Sequence, residues 1–224
     1  QIAHDKKGII KKNSFVVSGV KQKIIRKIIK DKCFAQKSHL YLLKQHFDYQ
    51  VKKISNQGSI FDFSLKDRYY RNLKLNLLGF HQLENASLAL MALEKLKTYG
   101  FKVSLKNIQR ALVSASFPGR LEIIRKKPLV IFDGAHNQDK MKALVKSVVK
   151  LFKYKRLIVV LALKKDKDIK LTLTPLLKIS SFIFVTRFTI GSDLGLDLSY
   201  PPEKLAFAIK KEFGFRNLTV VNSP

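Results

Sequence analysis

The chain has 224 residues, a formal net charge of +28 at pH 7 and 46% hydrophobic residues, which is enough apolar material for a buried core. No apolar run reaches the ~18 residues that a membrane-spanning helix needs, and the single cysteine excludes an internal disulfide and fits a reducing cytoplasm. The lysines are spread along the chain without a nucleic-acid-binding signature or zinc-ligand spacing, so we expect a cytoplasmic protein whose partners are neither nucleic acid nor a membrane.

Hydrophobic spacing predicts the elements of the first half in chain order. Residues 15–20 are typical of a strand, and residues 21–32 of an amphipathic helix with isoleucines on one side. A strand-rich insert follows, with strands predicted at 39–43, 47–54, 59–65 and 71–78. Residues 81–99 form the clearest helix, and a second helix at 104–116 is predicted to have Ser104 as its N-cap.

Pro118 and Gly119 interrupt this pattern and mark the predicted domain boundary. Beyond them short apolar strands alternate with helices, which predicts a mostly parallel, doubly wound sheet. Strands are predicted at 121–124, 128–132, 156–163, 181–188 and 218–221, and helices from Asn137 onward, at 168–179 and at 199–213. We expect the 156–163 strand to be covered on both faces, because it is almost continuously apolar, and Ser199 to cap the last helix.

Polar residues gather just after this boundary. Arg120 precedes the first strand, and Asp133, His136 and Asn137 follow the second, where the next helix begins. In an open α/β sheet, ligands bind at the carboxyl ends of the strands, so this turn is a predicted binding site. The alternative is that Asp133 and Asn137 only cap the helix and that Arg120 is solvated, and spacing alone does not choose between the two.

Four segments carry more specific motifs: IAHDKKGIIKKNSFVVSG at the start, GFHQLENASLALMAL on the clearest helix, FPGRLE followed by LVIFDGAHN, and ALKKDKDI. In this order, over nearly the whole chain, they resemble segments of folylpolyglutamate synthases, which are ATP-dependent ligases of the Mur ligase superfamily. The resemblance implies an α/β fold: the later part of a P-loop ATPase domain over residues 1–117, then a Rossmann-like, mostly parallel carboxy-terminal domain over 118–224, cut short at its end.

The resemblance also implies an activity, namely the addition of L-glutamate to folate through an acyl phosphate, with dihydrofolate formation from dihydropteroate as a second reaction. ATP and Mg²⁺ are the implied cofactors. No G-x-x-x-x-G-K-[ST] motif occurs in the sequence. We therefore expect the later half of a ligase, inactive without the amino-terminal ATPase half, and a monomer when complete.

Matching positions imply roles for individual residues. Asn85, Arg120 and Asp133 correspond to nucleotide contacts, and an arginine can grip a phosphate bidentately. His136 corresponds to a group near the transferring phosphoryl or the acyl phosphate. Lys6 corresponds to a lysine that carries CO₂ as a carbamate and binds Mg²⁺, although another lysine follows it where the family has a small residue.

Two other functions stay open at this point. One is a Mur-type ligase that joins amino acids to a cell-wall precursor, and the PGRLE and DGAHN segments favour folate over it. The other is a basic, non-catalytic module that binds nucleic acid, which the charge of +28 would suit. Salt-dependent binding to nucleic acid would separate such a module from a ligase.

Overall fold

The structure, a computed structural model, describes residues 2–66, 68–192 and 195–221. The chain divides into two compact units, Gln1–Pro118 and Gly119–Pro224. Within the described ranges, none of the helices combines the length and the apolar character that crossing a membrane requires.

The first unit combines helices with two small sheets. The elements are α1 Ile2–Lys6, β1 Phe15–Ser18, α2 Lys23–Ala35, β2 His39–Leu42, β3 Phe47–Ser55, β4 Gly58–Leu65, β5 Arg68–Leu75, α3 Phe80–Leu96 and α4 Leu105–Ser114. Strands β1 and β2 pair in parallel. Strands β3, β4 and β5 form an antiparallel meander, and they lie between α2 and α3 in the sequence, where the strand-rich insert was predicted.

The core of the first unit forms between the meander and the helices α3 and α4. Phe61 and Phe63 lie two positions apart on β4, so both point to the same face of the sheet, and both are fully buried. They belong to one cluster with Leu83 and Met91 of α3 and Ile108 of α4. The predicted helix at 81–99 is thus confirmed as α3, Phe80–Leu96, and the structure shows that it packs against the meander.

Strand β5 begins and ends three residues before the predicted 71–78 range. Its register against β4 shifts between Phe61 and Phe63, and Asn72 has a φ of 52°. The buried Asp62 side chain accepts a hydrogen bond from the Asn72 N–H at 2.8 Å, which stabilises this bulge. The prediction was wrong because a bulge breaks the alternation from which the strand was located.

Glu94 of α3 is buried and connects this helix to β5. Its carboxylate accepts a hydrogen bond from the Tyr70 hydroxyl at 2.7 Å and forms ion pairs with Arg68 and Lys97. Burial alone would raise the pKa of Glu94, but hydrogen bonds from Lys97, Tyr70 and Arg68 outweigh burial and hold that pKa below its ordinary value.

We expect this carboxylate to make the first unit sensitive to acid. A lowered folded-state pKa means that ionised Glu94 contributes stability above the unfolded-state value of about 4.3, and that this contribution is lost as the pH falls through the folded-state pKa. Urea unfolding at several pH values, followed by tyrosine fluorescence, would measure the effect, because most tyrosines lie in the first unit. Glu94→Gln should remove this acid-dependent loss, whereas Glu84→Gln on the same helix should keep it. An unchanged pH dependence in Glu94→Gln would contradict the assignment.

The second unit alternates strands and helices. The elements are β6 Glu122–Lys126, β7 Leu129–Phe132, α5 Gln138–Leu151, β8 Ile158–Leu161, α6 Ile169–Leu177, β9 Phe182–Val185, β10 Thr189–Ser192, β11 Gly195–Leu198, α7 Pro202–Phe213 and β12 Leu218–Val220. The parallel sheet has the strand order β12-β9-β8, while β6 with β7 and β10 with β11 form antiparallel pairs.

The α/β fold with a parallel sheet in the second unit is confirmed, but the strand that leads to Asp133 is placed differently from the expectation. Strand β7 pairs antiparallel with β6, in a two-stranded sheet of its own. The two strands are joined by a turn at Lys127 and Pro128. A connection this short can join only antiparallel strands, because parallel neighbours need a long crossover.

One face of the parallel sheet carries the core of the second unit. Leu161, Ile183 and Val185 cluster there with residues of α5, α6 and α7. On the opposite face Ile158 is 55% exposed and Val160 is 72% exposed. The strand predicted at 156–163 is β8, and the prediction that both of its faces are covered was wrong for the described residues. The reason is that the three helices all pack against the same side of the sheet.

The helix ends show which local predictions held. Ser104, Asn137 and Asp168 each cap their helix by accepting a backbone N–H hydrogen bond. Ser199 does not cap α7, which begins only at Pro202; its hydroxyl accepts the Phe188 N–H at 3.0 Å instead. Proline suits the first turn of a helix because its φ is preset and its missing N–H is not needed there, so the helix starts at the prolines.

Candidate functional site

The candidate site begins at the turn that carries Arg120. Gly119 has a φ of 68° and Leu121 a φ of 50°, so two residues of this turn are left-handed. A Cβ atom at Gly119 would lie 3.3 Å from the Phe132 ring, in a conformation that favours glycine in any case. The Gly119 N–H donates to the Glu122 carboxylate at 2.8 Å, and Leu121 is buried. Arg120 is thus presented from a turn with a defined backbone.

Asp133 joins this turn to the loop that follows β7. One carboxylate oxygen accepts the Leu121 N–H at 2.7 Å, and the other accepts the Ala135 N–H at 2.8 Å. The Gly134 N–H also donates to the Gly119 carbonyl at 2.8 Å. Asp133 therefore does not cap α5, as the alternative interpretation held, but links two loops whose side chains are the predicted ligand contacts.

His136 and Lys140 form a contact that spacing alone did not suggest. The His136 Nδ1 atom lies 2.8 Å from the Gly134 carbonyl oxygen, and Nε2 lies 3.1 Å from the Lys140 Nζ atom. Desolvation lowers the pKa of Lys140, and the positive charges of Arg120 and Lys167 lower it further, while Asp133 opposes them. Sequence reasoning missed Lys140, although Lys140 stands four residues after His136, in the first turn of α5, and residues four apart around a helix start can lie close together.

The structure brings three of the predicted site residues into one neighbourhood. Arg120, Asp133 and His136 lie in or beside the linked loops, together with Lys140. Asn137 accepts the Lys140 N–H at 3.0 Å, so its side chain is used as the N-cap of α5. The second unit thus presents a mainly cationic cluster at the start of α5, which suits a ligand with phosphate or carboxylate oxygens.

Asn85 and Lys6 belong to the first unit. Asn85 is exposed on α3, and its amide donates to the buried Gln82 side-chain oxygen at 3.1 Å. Lys6 ends α1 and is exposed. Among residues 2–66, 68–192 and 195–221, no three His, Cys, Asp or Glu side chains are grouped as metal ligands. The described part of the chain therefore does not by itself form the magnesium site that the resemblance implies around Lys6.

Comparisons with known proteins identify the family. Residues 119–223 match the Mur ligase, glutamate ligase domain. The dihydrofolate synthase/folylpolyglutamate synthase of Bacillus subtilis strain 168 is 30% identical over 168 residues, which are 75% of this chain and 39% of that enzyme. The chain belongs to the folylpolyglutamate and dihydrofolate synthase family of Mur ligases.

Solved structures agree with this family over both units. Folylpolyglutamate synthase from Thermotoga maritima is 30% identical with a TM-score of 0.78, and the match covers 100% of this chain and 51% of that one. Escherichia coli FolC in complex with DHPP and ADP is 26% identical with a TM-score of 0.79, covering 99% of this chain and 48% of that one. The chain thus spans about half the length of these solved relatives.

Proposed function

We propose that this chain is the later half of an ATP-dependent ligase that adds L-glutamate to folate, or to dihydropteroate to make dihydrofolate. The observation that carries the proposal is that folate enzymes match both units, the Thermotoga maritima structure over 100% of the chain. The first unit would be the later part of the ATPase domain, and the second the carboxy-terminal ligase domain. The amino-terminal part of the ATPase domain, which this sequence does not contain, would complete the enzyme, and the complete enzyme would be a monomer.

The reaction explains the chemistry required of the cluster. The γ-phosphoryl group of ATP passes to a carboxylate, forming an acyl phosphate and ADP. The amine of glutamate then attacks the acyl carbon, and phosphate leaves. Each step needs cations close to the phosphoryl oxygens on which negative charge develops. The proposal assigns this task to Arg120, whose guanidinium can hold two phosphate oxygens at once.

The other residues would support that contact. Asp133 holds the Arg120 turn through the Leu121 N–H, and an oxygen that accepts one hydrogen bond can still accept another from a nucleotide hydroxyl. His136 would lie near the transferring phosphoryl group. Asn85 would contact the nucleotide from the first unit, since an amide both donates and accepts. The ADP and DHPP bound by Escherichia coli FolC support these substrate classes.

Mg²⁺ is the proposed metal, and it would neutralise phosphate charge when bound. Lys6 is this chain's proposed contribution, as a carbamate, in the complete enzyme only. Lys6 stands exposed in the described chain without a group of acidic ligands beside it, so it would remain unmodified there.

The 224-residue chain alone is expected to release no phosphate from ATP above background when supplied with folate and glutamate. Its sequence lacks the glycine-rich P-loop whose backbone N–H groups cradle the phosphates. Phosphate release by the purified chain is the measurement. Turnover clearly above that of a heat-denatured sample would contradict the proposal that a second half is needed.

The function itself is tested on the full reading frame that contains this sequence. We expect ATP-dependent incorporation of labelled glutamate into folate, dihydropteroate or both. Incorporation of an amino acid into a UDP-linked cell-wall precursor instead would favour the other Mur-type ligase. Salt-sensitive binding to nucleic acid without any ligation would favour the basic binding module.

A further inference from the structure

The hydrogen positions on His136 follow from its two contacts. A carbonyl oxygen only accepts hydrogen bonds, so the Nδ1 atom that lies 2.8 Å from the Gly134 oxygen must carry a proton. The Lys140 ammonium group only donates, so the Nε2 atom that lies 3.1 Å away must offer its lone pair. Both contacts are satisfied together by the neutral Nδ1–H form of the imidazole.

Charged groups of both signs surround this pair. Arg120 and Lys167 repel its ammonium group, and Asp133 attracts it. The Lys140 backbone is held as well, since its N–H donates to Asn137 at 3.0 Å in the first turn of α5. Lys140 is half-buried, and the lone pair of His136 gives its partly desolvated ammonium group an acceptor.

We propose that Lys140 is a positioning residue for His136, holding the imidazole in its Nδ1–H tautomer by donating to Nε2 while the Gly134 carbonyl accepts from Nδ1. In this state His136 has no free N–H to offer a ligand. The donor that an incoming phosphate or carboxylate oxygen meets beside His136 is the Lys140 ammonium group. The inference that Lys140 binds a phosphoryl or carboxylate oxygen beside His136 rests on the proposed ligase function. The tautomer of His136 does not depend on that function.

The tautomer can be measured in the 224-residue chain without any ligand. Long-range ¹H–¹⁵N correlation spectra at neutral to mildly alkaline pH distinguish a protonated ring nitrogen from an unprotonated one, and His136→Gln assigns the signals. We expect Nδ1 to appear protonated and Nε2 unprotonated in the wild-type chain. In Lys140→Met we expect the two nitrogen shifts to move toward each other, as the ring exchanges between tautomers.

Two variants control this experiment. Lys140→Arg keeps a cationic donor and should keep the wild-type shifts. Lys142→Met removes the same charge from an exposed position of α5 and should also keep them. Protonated Nε2 in the wild-type chain, or unchanged shifts in a folded Lys140→Met, would overturn the proposal. Neither result would bear on ligase activity, which glutamate incorporation by the full reading frame tests separately.

Discussion

Asp133→Ala is expected to lower the free energy of unfolding of the second unit by about 2–4 kcal/mol, because two backbone N–H groups lose a charged acceptor. One of these groups belongs to Leu121, which is buried and left-handed with a φ of 50°. Without the hydrogen bond at 2.7 Å, little would offset the strain of that backbone conformation. Urea unfolding of the 224-residue chain, followed by circular dichroism and by NMR signals of α5, would measure the loss.

Matched variants show whether the two hydrogen bonds to Asp133 are responsible for the loss of stability. Asp133→Asn keeps one acceptor oxygen, so its loss of stability should be intermediate. Asp139→Ala removes an exposed carboxylate from the first turn of α5 and should cost less than about 1 kcal/mol. If Asp133→Ala proved as stable as Asp139→Ala, the linkage between the two loops would not contribute to folding.

Arg120→Ala is expected to lower kcat/KM for ATP by roughly 10²-fold or more in the complete enzyme, the usual size of a lost contact that stabilises a transferring phosphoryl group. Arg120→Lys should recover only part of the rate, because a lysine keeps the charge but not the bidentate geometry. Steady-state kinetics on the full reading frame, with ATP varied at saturating folate and glutamate, would measure both.

Control variants separate this loss of catalytic rate from a loss of folding stability. Arg120→Ala should unfold at nearly the wild-type urea concentration, whereas Asp133→Ala, which we also expect to lose roughly 10²-fold in kcat/KM, should unfold earlier. Arg125→Ala removes an exposed arginine of β6 that donates to the Lys127 carbonyl at 3.0 Å, and should keep wild-type kinetics. Wild-type kinetics in a folded Arg120→Ala enzyme would show that the arginine has no part in ATP use.

Short-range features of the fold followed from the sequence. Ser104 caps its helix as predicted, and Asn137 and Asp168 cap theirs in the same way, because an N-cap oxygen reaches an N–H only three residues further along the chain. The four motif segments taken together also sufficed to name the family that the comparisons confirm. These features depend on residues that are close together in the chain, so a linear pattern contains the information.

Contacts between distant residues were decided by the tertiary structure. Asp133 accepts the N–H of Leu121, twelve positions away, because the hairpin of β6 and β7 brings the two loops together. Glu94 was indistinguishable from a surface carboxylate until β5 placed Arg68 and Tyr70 beside it. Hydrophobicity makes Val160 a strand residue, but which sheet face the helices cover depends on how they pack, and that choice leaves Val160 exposed. Local propensity selects the elements, whereas pairing and packing select which side chains meet.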